Sequence, residues 1–251
     1  MIDLKEVILK HRLWLDNMGA IGIRANLSGA DLSGADLSRA NLTEANLTEA
    51  NLMGANLAGA IFTEANLAWA NLAWANLSWA NLAGANLAGA NLISTNLISA
   101  NLKGANLAEA FLVRANLTGG ILIGVNLSKA NLTEADLVGA DLSEANLSEA
   151  NLSEADITNA NIKMANLFRV KLANANLTNA DLTNADLSGA GLTGANLIGA
   201  NLSRVNLFRA NLAGALLANA KITDVILPMG GRLTKAMLDG PNFDYLAYFK
   251  S

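Results

Sequence analysis

The 251-residue chain has no cysteine, two prolines and one histidine, His11. Without cysteine there is no disulfide, no thiolate nucleophile and no Cys-ligated zinc or iron–sulfur centre. A single imidazole excludes any site needing two histidines from one chain. It also leaves the many serines without a histidine base beyond the N-terminus. Aromatic residues make up 5% of a chain that is 52% hydrophobic, so the apolar content is mainly Leu and Ala. Neither charge sign dominates: 17 basic and 21 acidic residues leave a net charge of -4, which is not an ordinary nucleic-acid-binding balance. Long apolar runs are missing too. Mean hydropathy is +0.30, yet Asn or Asp interrupts nearly every fifth position, and a spanning helix needs roughly 18 apolar residues in a row. Met1 to Lys10 mixes charged and apolar residues and lacks the apolar core of a signal peptide. Cytoplasmic residence and no membrane insertion are expected.

What is present is a five-residue period. From Ala25 to Met229 the chain reads as 41 consecutive units of the form A-[ND]-L-x-x, with no insertion or deletion. The third position is Leu in 37 units, and Phe62, Ile157, Ile162 and Ile222 fill the rest. The first is Ala in 35, and the second is Asn or Asp in 33. Five residues on an α-helix advance about 500°, so successive Leu would drift around the axis. On a flat strand they would alternate faces. A common interior for every Leu requires a corner in each unit, and four corners close a square coil of 20 residues. A disordered tract is excluded by the apolar content, a Leu and an Ala in nearly every unit.

These repeats, and the stretch His11-Arg12-Leu13-Trp14-Leu15 followed by Arg24-Ala25-Asn26-Leu27, resemble the pentapeptide-repeat family. The resemblance implies an all-β solenoid, a right-handed quadrilateral β-helix, with the central Leu and the Ala two before it pointing inward. About 10 coils at strand spacing make a rod roughly 49 Å long. Three parts are expected: an N-terminal helical cap (1–19), the β-helix (20–229) and a C-terminal cap (230–251). Solenoids need such caps to cover open ends. Phe243, Tyr245, Tyr248 and Phe249 in the last part are candidate contacts of a head-to-head homodimer.

With register unbroken, residues 20 apart stack, and the outer positions become a surface map. Trp69, Trp74 and Trp79 take the same position in three consecutive units. Met53, Ile93 and Val113 share the face of Trp74, with Phe111 beside Val113 and Ile98 around the corner. Trp and Met are enriched at interface centres. Residues 25–160 hold 13 acidic and 4 basic groups, and Glu134, Asp136, Asp141, Glu144, Glu149, Glu154 and Asp156 form an acidic collar. Glu109, Lys129, Glu149 and Arg169 alternate in sign 20 apart and are expected to pair along the rod. Glu134 and Glu154 stack as like charges. Phe168-Arg169 and Phe208-Arg209 repeat two coils apart.

No catalytic residue, cofactor or metal ligand emerges from this pattern. A convex, regular exterior lacks the concave pocket that active sites usually occupy. The leading expectation is a non-enzymatic rigid interaction or scaffolding module, with another protein as partner and a Trp-centred contact. The family resemblance adds a second: mimicry of double-stranded DNA toward a topoisomerase such as DNA gyrase, as its antibiotic-resistance members do. The net charge of residues 25–160 is about half that of an equal length of B-DNA, and the looped insertions of some gyrase-protecting members are missing.

Overall fold

The computed structural model describes residues 3–226. The proposed C-terminal cap and its dimer contacts Phe243, Tyr245, Tyr248 and Phe249 lie outside the described residues.

Helix α1, Leu4–Asp16, opens the chain. Asp3 caps it, its carboxylate accepting the Glu6 N–H at 3.2 Å. Leu4, Val7 and Ile8 pack against the core of the repeats. Beyond it, the 20-residue period is direct. Parallel bridges join Asn26 to Asn46, Asp31 to Asn51, Asp36 to Asn56 and Asn41 to Ile61, and continue in this register to Asn206 with Ile226. Each unit makes one side of a coil: an extended position 2, then a turn at positions 4 and 5. The positions are numbered from Ala25, so Leu27 is position 3.

Backbone satisfaction explains the repeat formula. In the unit Ala25–Gly29 the N–H of Leu27 reaches the Asn46 carbonyl at 2.7 Å, and that of Gly29 reaches Thr48 at 2.8 Å. Asn46 returns a bond to the Ala25 carbonyl at 2.9 Å, and Ala30 closes the turn on Leu27 at 3.1 Å. The N–H of position 4 has no backbone partner, and the position 2 side chain supplies one: Ser28 donates to Asn26 Oδ1 at 3.3 Å. Asn also has an amide to give. Asn46 donates to Asn26 Oδ1 at 3.0 Å, and Asn106 to Asn86 at 3.1 Å, building side-chain ladders along the rod. Asn and Asp at position 2 are therefore structural, since unsatisfied donors are costly.

Positions 1 and 3 form the core, with nearly every Ala and Leu fully buried, and Phe62 filling a Leu place. Thr95 replaces a core Ala, and its hydroxyl donates to the Leu72 carbonyl at 2.7 Å, so the polar atom is satisfied. The expected inside and outside of the unit are the observed ones.

Position 5 has a property that the period alone does not reveal. From Gly29 to Asp224 every position 5 residue has a positive φ, between 53° and 70°. This is the left-handed region, which favours glycine and disfavours β-branched side chains. Trp69, Trp74 and Trp79 stand there with φ of 60°, 63° and 61°.

Candidate functional site

The outer surface is a set of straight columns, each repeating every 20 residues. Position 5 side chains stand on the corners and lean over the next coil. A Cβ added to Gly89 would lie 2.4 Å from the ring of Trp69, and one on Gly84 would lie 3.4 Å from Glu64 Cγ. The three Trp therefore sit on three successive corners of a single coil. They are 60%, 68% and 71% exposed, in chain order. Each has a small residue one coil ahead: Gly89, Ser94 and Ser99.

One side of the rod gathers the apolar residues. It lies between the corners of Trp69 and Trp74. Its position 4 column carries Met53, Ala73, Ile93 and Val113, and its position 2 column carries Phe111. Met53 and Phe111 are exposed. Phe111 interrupts a polar ladder in which Asn71 donates to Asn51 at 3.2 Å and Asn91 to Asn71 at 3.1 Å. Its bridge to Asn91 persists through the backbone. The Val113 N–H loses the side-chain acceptor that other units provide. Ile98 lies on the next side, between the corners of Trp74 and Trp79.

The acidic collar divides into groups with different duties. Asp136, Asp141 and Asp156 occupy position 2 and accept the N–H of Val138, Ser143 and Thr158, each at 3.0 Å. They cap the turns of their own units, and Asp141 and Asp156 also accept from Asn161 and Asn176 one coil on. At the same position, bonds from the Ser33 hydroxyl and N–H hold Asp31, and bonds from the Ser38 N–H and hydroxyl hold Asp36, below the usual carboxylate range. Glu134 is paired with Arg114, whose Nε lies 2.7 Å away. That hydrogen bond lowers the Glu134 pKa and raises that of Arg114. The expected confrontation of Glu134 with Glu154 is thus replaced by a pair with the coil before. Glu144, Glu149 and Glu154 remain, on three successive corners.

The expected ion-pair column fails as well. Glu109, Lys129, Glu149 and Arg169 are exposed, but among the described residues the ion pairs are elsewhere: Arg114–Glu134, Lys163–Asp181 at 3.2 Å, and two within α1. The guanidinium of Arg169 instead lies over the Phe168 ring at 4.9 Å, and that of Arg209 over Phe208 at 5.0 Å.

Two concave places lie among the described residues. A cleft of about 710 Å³ beneath α1 is lined by Ile8, Arg12, Leu37, Arg39 and neighbours. A groove of about 400 Å³ runs past Lys163, Asp181, Ser203, Arg204 and Lys221. In the groove the Asp181 carboxylate accepts from the Thr183 hydroxyl and pairs with Lys163. Burial works against ionisation of Asp181, but bonds from Thr183 and Lys163 outweigh it and lower its pKa. Among the described residues no group of three metal-binding side chains occurs, and no helix is long and apolar enough to cross a membrane.

Known proteins agree with this geometry. The family model for pentapeptide repeats matches overlapping stretches from residue 23 to residue 227. A solved structure is similar over nearly the whole chain: HetL of the cyanobacterium Nostoc sp. strain PCC 7120, a pentapeptide repeat protein involved in the regulation of heterocyst differentiation. It is 35% identical, the match covers 93% of this chain and 100% of HetL, and the TM-score is 0.50. QnrB1, a plasmid-mediated fluoroquinolone resistance protein, shares the fold at 18% identity, with 82% of this chain and 92% of that one covered and a TM-score of 0.54. No curated protein matches significantly.

Proposed function

Because the chain belongs to the pentapeptide-repeat family, whose members form right-handed quadrilateral β-helices, we propose that it is a non-enzymatic rigid interaction module. Its contact is the apolar side centred on Trp74, with Met53, Ile93, Phe111 and Val113, and its partner is another protein. One observation carries the reading: large apolar side chains gather, exposed, on one side of the rod, with Trp74 and Phe111 at positions where the fold favours Gly and Asn. Trp74 holds a left-handed backbone that costs a non-glycine residue about 1–2 kcal/mol. Phe111 gives up an Asn whose hydrogen bonds serve the ladder, at about 1 kcal/mol. Exposed side chains kept at such a cost point to binding rather than to folding.

The test restores the repeat. Trp74→Gly with Phe111→Asn places residues favoured by the fold at both positions. The double variant should unfold at an equal or higher denaturant concentration than the wild type. In affinity capture from the native host's lysate it should lose a protein that the wild type retains, and the retention should tolerate salt. Identical captures, with the variant folded, would remove this side of the rod as the contact.

DNA mimicry has less support. Its charge would have to form a track, whereas the carboxylates left over from the ladder stand on three different corners. The relatives known to regulate differentiation or confer drug resistance do not decide between the readings for this chain.

A further inference from the structure

The corner column through Glu109, Lys129, Glu149 and Arg169 has an order of charge that one chain leaves unused. All four are exposed, alternate in sign and make no ion pair. The same spacing in the next column does give a pair, Arg114 with Glu134 at 2.7 Å. The order is self-complementary when reversed. Counting outward from the midpoint between Lys129 and Glu149, Lys129 matches Glu149, Glu109 matches Arg169, Gly89 matches Gly189 and Trp69 matches Arg209.

We propose that a second copy of this chain docks here, antiparallel, about a two-fold axis passing between the coils of Lys129 and Glu149. Each match then occurs twice across the contact. Lys129 faces Glu149 of the second copy, and Glu109 faces its Arg169. At each end Trp69 meets Arg209, an aromatic face against a guanidinium. The adjoining position 4 column completes the fit by size. Ala108 lies opposite Phe168, Ala68 opposite Phe208, and Ala88 opposite Ser188. Arg169 and Arg209 already lie over their own Phe rings, so less freedom is lost when they bind.

Other arrangements oppose like charges or leave a charge of the column unmatched. A parallel dimer opposes each charge to its own copy. Sliding one chain by a single coil opposes Glu149 to itself. Sliding by two coils in that same direction keeps Glu149 against Arg169 and Glu109 against Arg209, but leaves Lys129 against Gly189 and takes Trp69 away from Arg209. Docking through the side beyond this corner would set Glu134 against Glu154. The chosen register spans eight coils, about 38 Å at strand spacing. The apolar side of Trp74 stays open.

The absence of native cysteine makes the register testable. Ala88→Cys and Ser188→Cys are five coils apart in one chain, about 24 Å, far beyond disulfide reach. Each variant alone should remain uncrosslinked on oxidation. The mixture should give a disulfide dimer. Ser188→Cys mixed with Ser128→Cys, which reports the two-coil slip, should not. In sedimentation at about 100 µM, a hundredfold above a micromolar Kd, the wild type should have the mass of a dimer, lost in high salt. Arg169→Glu should weaken association about tenfold or more, and adding Glu109→Arg should recover it. Circular dichroism of each variant separates lost pairing from lost fold. A wild type that stays monomeric, or a crosslink in the 128–188 mixture instead of the 88–188 one, overturns the proposal.

Discussion

At position 5 the backbone selects the side chain before any partner does. Fourteen glycines stand there with positive φ, and Val, Ile and Thr never do, although Thr and Ile recur at position 4. The reason is steric: a β-branched side chain clashes with its own backbone in the left-handed region. Gly139→Val should therefore cost at least about 1–2 kcal/mol, although nothing lies within 4 Å of the added Cβ. Glu144→Gly, one corner on, should be neutral or slightly stabilising. Chemical denaturation of the two variants measures both, and an unharmed Gly139→Val would mean that the turns relax freely. Much of this was legible in the sequence. The period called for a common interior for the Leu of position 3, the family resemblance implied the inward Ala of position 1, and Leu127 and Ala130 are buried as expected. The hand of the corner lay in the composition of position 5, not in its spacing. The reach of Arg114 to Glu134, rather than of Lys129 to Glu149, depends on side-chain direction, which no periodicity encodes.

At the scale of the element, His11 latches α1 to the first repeat unit, beside the apolar contacts of Leu4, Val7 and Ile8. His11 is fully buried. Its Nδ1 accepts the N–H of Ala25, the first residue of the repeat run, at 3.1 Å, and its ring stacks on Trp14 at 5.7 Å. Nε2 has no hydrogen-bond partner. Burial pushes the His11 pKa down, and the charge of Arg24 pushes the same way, against the Thr43 carbonyl and Glu44. The folded value lies below the unfolded one, near 6.5. Docking of α1 therefore keeps its full strength above about pH 6.5 and weakens as pH falls below that value, because the released imidazole binds the proton more tightly. A proton would also remove the acceptor from Ala25. Hydrogen exchange should show α1 losing protection between pH 7.5 and 5 while the mid-rod amides keep theirs. His11→Leu should give an α1 with lower protection that no longer varies with pH. A flat wild-type profile would refute the coupling. The helix itself was legible from the spacing of Val7, Ile8, Leu9, Leu13 and Trp14. The latch was not, because its partner is a backbone amide 14 residues away.

At the scale of the molecule, function depends on how charge and apolar area are dealt among four sides of one rod. The collar of seven acids read from the sequence is not a uniform field. Three cap the turns of their own units, Glu134 is neutralised by Arg114, and Glu144, Glu149 and Glu154 face successive corners. B-DNA shows about one charge per 1.7 Å along its axis; three carboxylates within one coil, turned to different sides, offer a partner no such line. The spacing of 20 residues was enough to put these glutamates on separate corners, but not to show which carboxylates were already engaged. Glu144→Gln with Glu154→Gln removes two of the three and leaves Glu149 to the proposed dimer column. Exposed charges of this kind act over about 8 Å at physiological salt, so a partner held on the Trp74 side should be captured by this variant as by the wild type. Its capture should also survive raised salt. Loss of the partner in the glutamine variant but not in Trp74→Gly with Phe111→Asn would shift the contact to the acidic corners, and a gyrase supercoiling assay would then separate a DNA-like contact from any other acidic one.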